Sequence, residues 1–105
     1  MIFTLFTDTM TGYVYIITNR PWGVLYVWVT SDLVGRVYKH KNKVYRNSFS
    51  DKYQLEKLVY LVELENIVDA NSAEKALKKK LRWKKIALIE KENEEWKDLA
   101  DGWYG

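Results

Sequence analysis

The apolar residues in the first third of the chain follow the pattern of a β-hairpin. Tyr13–Asn19 and Val24–Thr30 are rich in aromatic and β-branched residues, and the short turn between them contains the chain's proline and a glycine. Because side chains alternate between the two faces of a strand, Tyr26 shares a face with Trp28, and Tyr15 is expected to point inward. The pattern therefore predicts two adjacent strands, each with a tyrosine directed at the interior.

Further segments with helical or strand periodicity follow this hairpin. Ser31 or Asp32 is expected to cap a first helix that runs to about Lys43. The elements predicted after this helix are a loop at Asn47–Asp51, a third strand at Lys57–Glu65, and a second helix from Asp69 or Asn71 to about Leu81.

The residues after Leu81 do not continue the second helix in the same phase. Apolar positions from Ala70 to Leu81 keep helical spacing, but an extension of that phase would bury Lys84 and Lys85. We therefore expect a break near Leu81–Arg82, followed by a third helix, with the terminal aromatic residues docking a short tail. The order β-β-α-β-α-α predicts an α+β fold in which helices pack on a three-stranded sheet.

Length and composition limit the class of protein. The 105 residues, 48% of them hydrophobic, suffice for one packed core, which we assign to a single domain at residues 12–105. Residues 1–11 are expected to be a non-native or flexible extension, with Met10 as the natural start. The absence of cysteine excludes disulfides and zinc–thiolate sites and suits a reducing, cytoplasmic location. No run approaches the ~18 apolar residues of a membrane span.

Three polar side chains are expected in or beside apolar helix stripes. On a wheel of about 100° per residue, His40 falls within the stripe that contains Val37, and Arg36 falls on its edge. Glu74 falls within the stripe of the second helix. An unpaired buried carboxylate costs several kcal/mol, so Glu74 needs a partner or a cation. Together with the two inward tyrosines, these residues are predicted to face one cleft between sheet and helices.

Each of these residues also has an ordinary structural interpretation. Glu74 can form an internal ion pair with Arg36 or His40, or reach water at the edge of its stripe. His40 can be a core histidine bonded to a backbone carbonyl, and Tyr15 and Tyr26 can be strand aromatics. The functional interpretation depends on the conjunction of all five residues.

A basic cluster follows Glu74. Seven Lys or Arg residues occupy the eleven positions from 75 to 85, and the whole chain has a net charge of +3. A solvated helix face is the plain interpretation, and a surface that follows a phosphate backbone is the alternative. The residues that we expect to bind nucleic acid are Lys75, Lys78, Lys79, Arg82 and Lys84.

Short motifs in a consistent order make the chain resemble the GIY-YIG nuclease superfamily, and within it the small stand-alone bacterial endonucleases. The similarity runs from Gly12 to about Trp103. The matching motifs are Tyr-Val-Tyr-Ile at 13–16, Leu-Tyr-Val at 25–27, Thr-Ser-Asp-Leu at 30–33, Arg-Val at 36–37, Glu-Lys at 74–75 and Glu-Trp-Lys-Asp-Leu at 95–99.

The resemblance implies a hydrolase that cuts DNA phosphodiester bonds with Mg²⁺ or Mn²⁺, in DNA repair or recombination. It makes Glu74 the single metal ligand and Arg36 the group that holds and stabilises the scissile phosphate. Tyr15 would take a proton from the attacking water with help from the metal or from His40, since an unperturbed phenol has a pKa of about 10. Tyr26 would orient water or phosphate.

Three positions near the predicted cleft depart from the family pattern. Trp28 stands where the second motif ends in glycine, and its indole would fill the space that glycine leaves open. Gly35 and Ala73 stand where the family usually has basic residues. We therefore weigh a metal-dependent DNA endonuclease against a catalytically degenerate domain that binds nucleic acid or protein, in which Trp28 fills the former cleft.

Overall fold

The computed structural model describes residues 10–42 and 55–104 of the chain. The elements in these ranges are β1 (Gly12–Thr18), β2 (Leu25–Thr30), α1 (Leu33–Lys41), β3 (Lys57–Leu64), α2 (Ile67–Lys79) and α3 (Arg82–Glu92). This order confirms the predicted α+β arrangement of a three-stranded sheet with helices. The predicted N-terminal extension up to residue 9 and the predicted loop at Asn47–Asp51 lie outside the described residues. Within those residues, no helix is long and apolar enough to cross a membrane.

The strands form one antiparallel sheet in the order β2-β1-β3. β1 is therefore the central strand, and its side chains pack on both faces of the sheet. In the β1–β2 ladder, Tyr15 lies opposite Trp28 and Ile17 lies opposite Tyr26. Because residues that are directly opposite point to the same side, Tyr15, Tyr26 and Trp28 share one face.

Helices cover both faces of this sheet. On one face, Ile16 of β1 packs in a core cluster with Ala70 of α2 and Ile89 of α3. On the other face, Tyr15 packs in a second cluster with Val37 of α1. Both sides of the central strand are thus buried, which explains its nearly continuous apolar sequence.

Side-chain caps determine where α1 and α2 begin. Asp32 accepts a hydrogen bond from the Gly35 N–H at 3.1 Å and caps α1, as predicted. The predicted start of the second helix, at Asp69 or Asn71, is wrong. α2 begins at Ile67, because the side-chain oxygen of the preceding Asn66 accepts the Asp69 N–H at 2.8 Å.

The predicted break after the second helix is present. Lys80 and Leu81 have extended backbone conformations, with ψ of 147° and 151°, and α3 starts at Arg82. The break changes the helix phase, so that Ile86 is buried while Lys84 stays exposed. This is the outcome that the spacing of lysines and apolar residues predicted.

The segment after α3 is anchored to the sheet through Asp98. Its carboxylate accepts the backbone N–H groups of Leu58 and Ala100, each at 3.0 Å, and pairs with the ammonium of Lys41. Burial raises the pKa of Asp98, but the hydrogen bonds and the charge of Lys41 outweigh burial and lower it. Farther on, the Tyr104 hydroxyl donates to a carbonyl of α1 at 2.7 Å. The tail therefore covers the α1 face of the sheet.

Candidate active site

Tyr15 and His40 meet between the sheet and α1. The phenolic oxygen of Tyr15 lies 3.2 Å from Nε2 of His40. Tyr15 has no exposed surface, and His40 is 3% exposed. The central strand fixes the tyrosine, and the last turn of α1 fixes the histidine. The structure therefore brings together two of the residues that the sequence singled out.

His40 is neutral at pH 7 in this environment. Burial and, to a lesser extent, the positive charge of Arg36 together lower the pKa of His40 from 6.5 to about 4. In the tautomer that carries its proton on Nδ1, the free Nε2 accepts a hydrogen bond from the Tyr15 hydroxyl. The pair is thus arranged as a phenol with its proton acceptor.

Trp28 lies at the centre of this group of residues. Its ring centroid is 5.0 Å from that of Tyr26 and 5.0 Å from that of His40. The guanidinium carbon of Arg36 lies 5.4 Å from the indole centroid, within the range of a cation–π contact. Trp28 also lies opposite Tyr15 in the β1–β2 ladder, so the indole and the phenol share the α1 face of the sheet.

Glu74 occupies the inner stripe of α2 with Ala70 and Leu77. It is 8% exposed, and among residues 10–42 and 55–104 it is the one carboxylate residue in the buried class. Lys78 Nζ lies 2.6 Å from its Oε2, so the ion pair that the structure shows is with Lys78 rather than with Arg36 or His40. α2 packs against β1 and the edge strand β2. The contacts of Glu74 therefore do not join it directly to the residues on the α1 face.

The surroundings of Glu74 fit a metal ion that is shared with a substrate. In the described part of the chain, no three His, Cys, Asp or Glu residues cluster closely enough to hold an ion alone. Mg²⁺ commonly binds through one or two carboxylates plus waters and substrate phosphates, and a single buried carboxylate suits that mode. The side chain of Lys78 is 53% exposed, so the ion pair with Glu74 reaches solvent at its lysine end.

Two of the residues predicted to bind nucleic acid have protein partners. Lys78 pairs with Glu74, and Arg82 Nη2 donates to the carbonyls of Trp22 and Gly23, both at 2.7 Å. Arg82 therefore ties the start of α3 to the β1–β2 turn, a structural role that local sequence spacing does not reveal. The predicted residues that remain exposed without such an ion pair or turn contact are Lys75, Lys79 and Lys84.

A comparison with known families identifies a match that spans these residues. A family model described as the GIY-YIG catalytic domain matches residues 11–87, a range that contains the tyrosine pair, Arg36, His40 and Glu74. No curated protein and no solved structure matches the chain. Because the family match covers more than half of the chain, the protein belongs to the GIY-YIG catalytic domain family, a family of nuclease domains.

Proposed function

We propose that this protein is a divalent-metal-dependent endonuclease that hydrolyses phosphodiester bonds of DNA. The observation that carries the proposal is the Tyr15–His40 pair, with 3.2 Å between the phenolic oxygen and Nε2. A phenol with an ordinary pKa of about 10 needs such an acceptor if it is to take a proton from water near neutral pH. The lowered pKa of His40 keeps Nε2 unprotonated near neutral pH, so that it can accept the hydrogen bond of the phenol.

The roles of the remaining residues follow from their chemistry. Tyr15 takes a proton from the attacking water while it passes its own proton to His40 Nε2. Arg36 binds oxygens of the scissile phosphate with its forked donors and stabilises the charge that develops there. Glu74 holds Mg²⁺ or Mn²⁺, which when bound neutralises charge on the phosphate and on the leaving oxygen. Tyr26 orients the water or the phosphate.

Trp28 must turn aside for this chemistry to occur. Tyr15 has no exposed surface in the described arrangement, so the proposed chemistry needs a movement that admits water to the phenolic oxygen, and we assign that movement to the indole. The indole is held by side-chain ring contacts with Tyr26 and His40 and by the guanidinium of Arg36. Its rotation would expose the phenol and release Arg36 to a phosphate in the same movement.

The position of Trp28 also favours a second candidate function. If the indole stays in place, the domain is a catalytically degenerate module that binds nucleic acid or protein on the same surface. In that case the protein binds DNA in a salt-dependent manner but does not cleave it with Mg²⁺ or Mn²⁺. Cleavage by the purified wild type distinguishes the two functions.

The decisive variant for the proposed chemistry is Tyr15→Phe, which removes one oxygen and keeps the ring. Tyr13→Phe is its matched control, because Tyr13 lies on the same strand and the same face, two residues away. Nicking of supercoiled plasmid with Mg²⁺ or Mn²⁺ should be lost in Tyr15→Phe and retained in Tyr13→Phe. Branched and damaged DNA, the substrates of repair and recombination, are the next to test. Full cleavage by Tyr15→Phe on every substrate would remove the proposed role of the phenol.

A further inference from the structure

A groove along α3 combines an apolar floor with a basic rim. Its volume is about 310 Å³, and it is lined by Lys80, Trp83, Lys84, Ala87, Leu88 and Lys91. This volume lies at the lower end of the roughly 300–1,000 Å³ that is usual for small-ligand sites. The groove is separate from the Tyr15–His40 pair, and none of its lining residues has a role in the chemistry proposed above.

The indole of Trp83 is the main apolar surface of this groove. Trp83 is 64% exposed, so its ring gains little from burial in the folded chain. The ammonium of Lys84 lies 5.6 Å from the ring centroid. The nearby acidic residue Glu90 accepts a hydrogen bond from Trp96 Nε1 at 2.7 Å, and none of the described residues that line the groove is acidic.

This combination selects a flat apolar group that carries negative charge. An exposed aromatic ring stacks a nucleobase whatever its identity, and neighbouring lysines neutralise the backbone phosphates. A purely apolar partner would leave the three lysines without counter-charges, and an inorganic anion would leave the indole without a partner. A nucleotide satisfies both parts of the groove.

We infer that the groove binds an unpaired nucleotide of the DNA substrate, with its base on Trp83 and its phosphates on Lys80, Lys84 and Lys91. The inference rests on the proposed function for the identity of the ligand, and it adds a substrate class, DNA with a single-stranded segment. Lys80 is the C-cap of α2, the helix that carries Glu74, so the groove begins where the helix of the proposed metal ligand ends.

The test compares binding of a labelled short oligothymidylate and of a duplex of equal length, by fluorescence anisotropy at low salt with EDTA present. Trp83→Ala should weaken binding of the single strand by between about fivefold and a hundredfold, the usual effect of losing one stacked base, and should change duplex binding less than about twofold. Trp83→Phe should restore most of the affinity. Trp103→Ala, which removes another partly exposed indole, should behave as the wild type.

The outcomes that overturn the inference are equally specific. The first is that the wild type does not measurably bind the oligothymidylate. The second is that Trp83→Ala loses the same amount of affinity for the single strand and for the duplex. The third is that Trp83→Ala changes the oligomeric state and leaves the affinity for DNA unaltered. The last result would make the groove an interface between copies of the chain. Trp83→Ala introduces a strong helix former at an exposed position, so we expect it to fold, which circular dichroism checks.

The same experiment separates the inference from the proposed function. Binding is measured without metal and without turnover. The effect of Trp83→Ala on binding can therefore be determined even if the protein does not cleave DNA. Loss of cleavage in Tyr15→Phe supports the proposed function alone, and selective loss of single-strand binding in Trp83→Ala supports the groove inference alone.

Discussion

Acidification should destabilise the fold through His40, which is the only histidine of the chain. The unfolded chain binds a proton at this residue with an ordinary pKa of 6.5, whereas burial and the charge of Arg36 lower the pKa in the folded protein to about 4. Between these values the unfolded state holds more protons than the folded state. The stability associated with neutral His40 is therefore fully present above pH 6.5 and falls as the pH is lowered from 6.5 to about 4.

The size of this effect follows from the difference in pKa. At about 1.4 kcal/mol for each pKa unit, the difference between 6.5 and about 4 corresponds to an upper limit of about 3–4 kcal/mol. At pH 4.5 most of that amount, about 2–3 kcal/mol, should already be lost. The carboxylate of Asp98 does not obscure this window, because its pKa is lowered from 3.8 and its contribution is lost only at more acidic pH.

Urea unfolding measured from pH 7.5 to pH 4.5 tests this expectation. The matched variant is His40→Gln, whose amide oxygen accepts a hydrogen bond from Tyr15 but does not titrate. The difference between wild type and variant in the free energy of unfolding should fall by about 2–3 kcal/mol across the range. NMR titration of the single imidazole gives the folded pKa directly.

Two results would refute the reasoning about His40. One is an imidazole that titrates near 6.5 in the folded protein, which would place the ring in contact with water. The other is the same dependence of unfolding on pH in wild type and His40→Gln, which would assign the acid sensitivity to other groups.

Three further changes have specific expected results. Trp28→Gly should raise the rate of DNA cleavage and lower the free energy of unfolding by roughly 3 kcal/mol, because buried surface is lost. A cleavage rate equal to or below that of the wild type would show that the indole does not obstruct the site. Gly12→Ala should lower the free energy of unfolding, measured in urea, by about 1–3 kcal/mol, because the new Cβ would lie 2.4 Å from Cβ of Ala70. An unchanged free energy of unfolding would mean that α2 shifts to make room. Asp98→Ala should cost about 2–4 kcal/mol, since the N–H of Leu58 loses its acceptor, and unchanged stability would show that the tail is not anchored there.

Local periodicity accounts for most of the fold that could be predicted. Alternation placed Tyr26 and Trp28 on one face of their strand, and the phase of lysines and apolar residues located the break at Leu81–Arg82. Both signals act within a few residues. Ile67 and Val68 were harder to assign, because β-branched residues after a strand do not indicate a helix until the cap at Asn66 is recognised.

Contacts between distant residues could not be predicted in this way. The bond from Arg82 to the β1–β2 turn spans about sixty residues, and the bond from the Leu58 N–H to Asp98 spans 40. No local pattern encodes such pairs, since they depend on how α3 and the tail are placed on the sheet. Arg82 therefore looked from the sequence like a DNA-binding residue of a basic helix.

The candidate site shows the same division between what was predictable and what was not. The helical wheel placed His40 and Glu74 in apolar stripes, and both residues are buried. Their partners, Tyr15 for the histidine and Lys78 for the carboxylate, depend on the packing of α1 and α2 against the sheet. The sequence raised the question of Trp28, and the structure adds that its ring contacts His40 and Arg36.

The most direct test of the central claim is the initial rate of plasmid nicking as a function of Mg²⁺ or Mn²⁺ concentration, for wild type, Glu74→Ala and Glu63→Ala. Glu63 is an exposed carboxylate on β3 and serves as the matched control. We predict cleavage that requires metal in the wild type and in Glu63→Ala, and no cleavage by Glu74→Ala at any metal concentration. Equal cleavage by Glu74→Ala, which would indicate a contaminating nuclease, or a wild type inactive at every metal concentration would contradict the account.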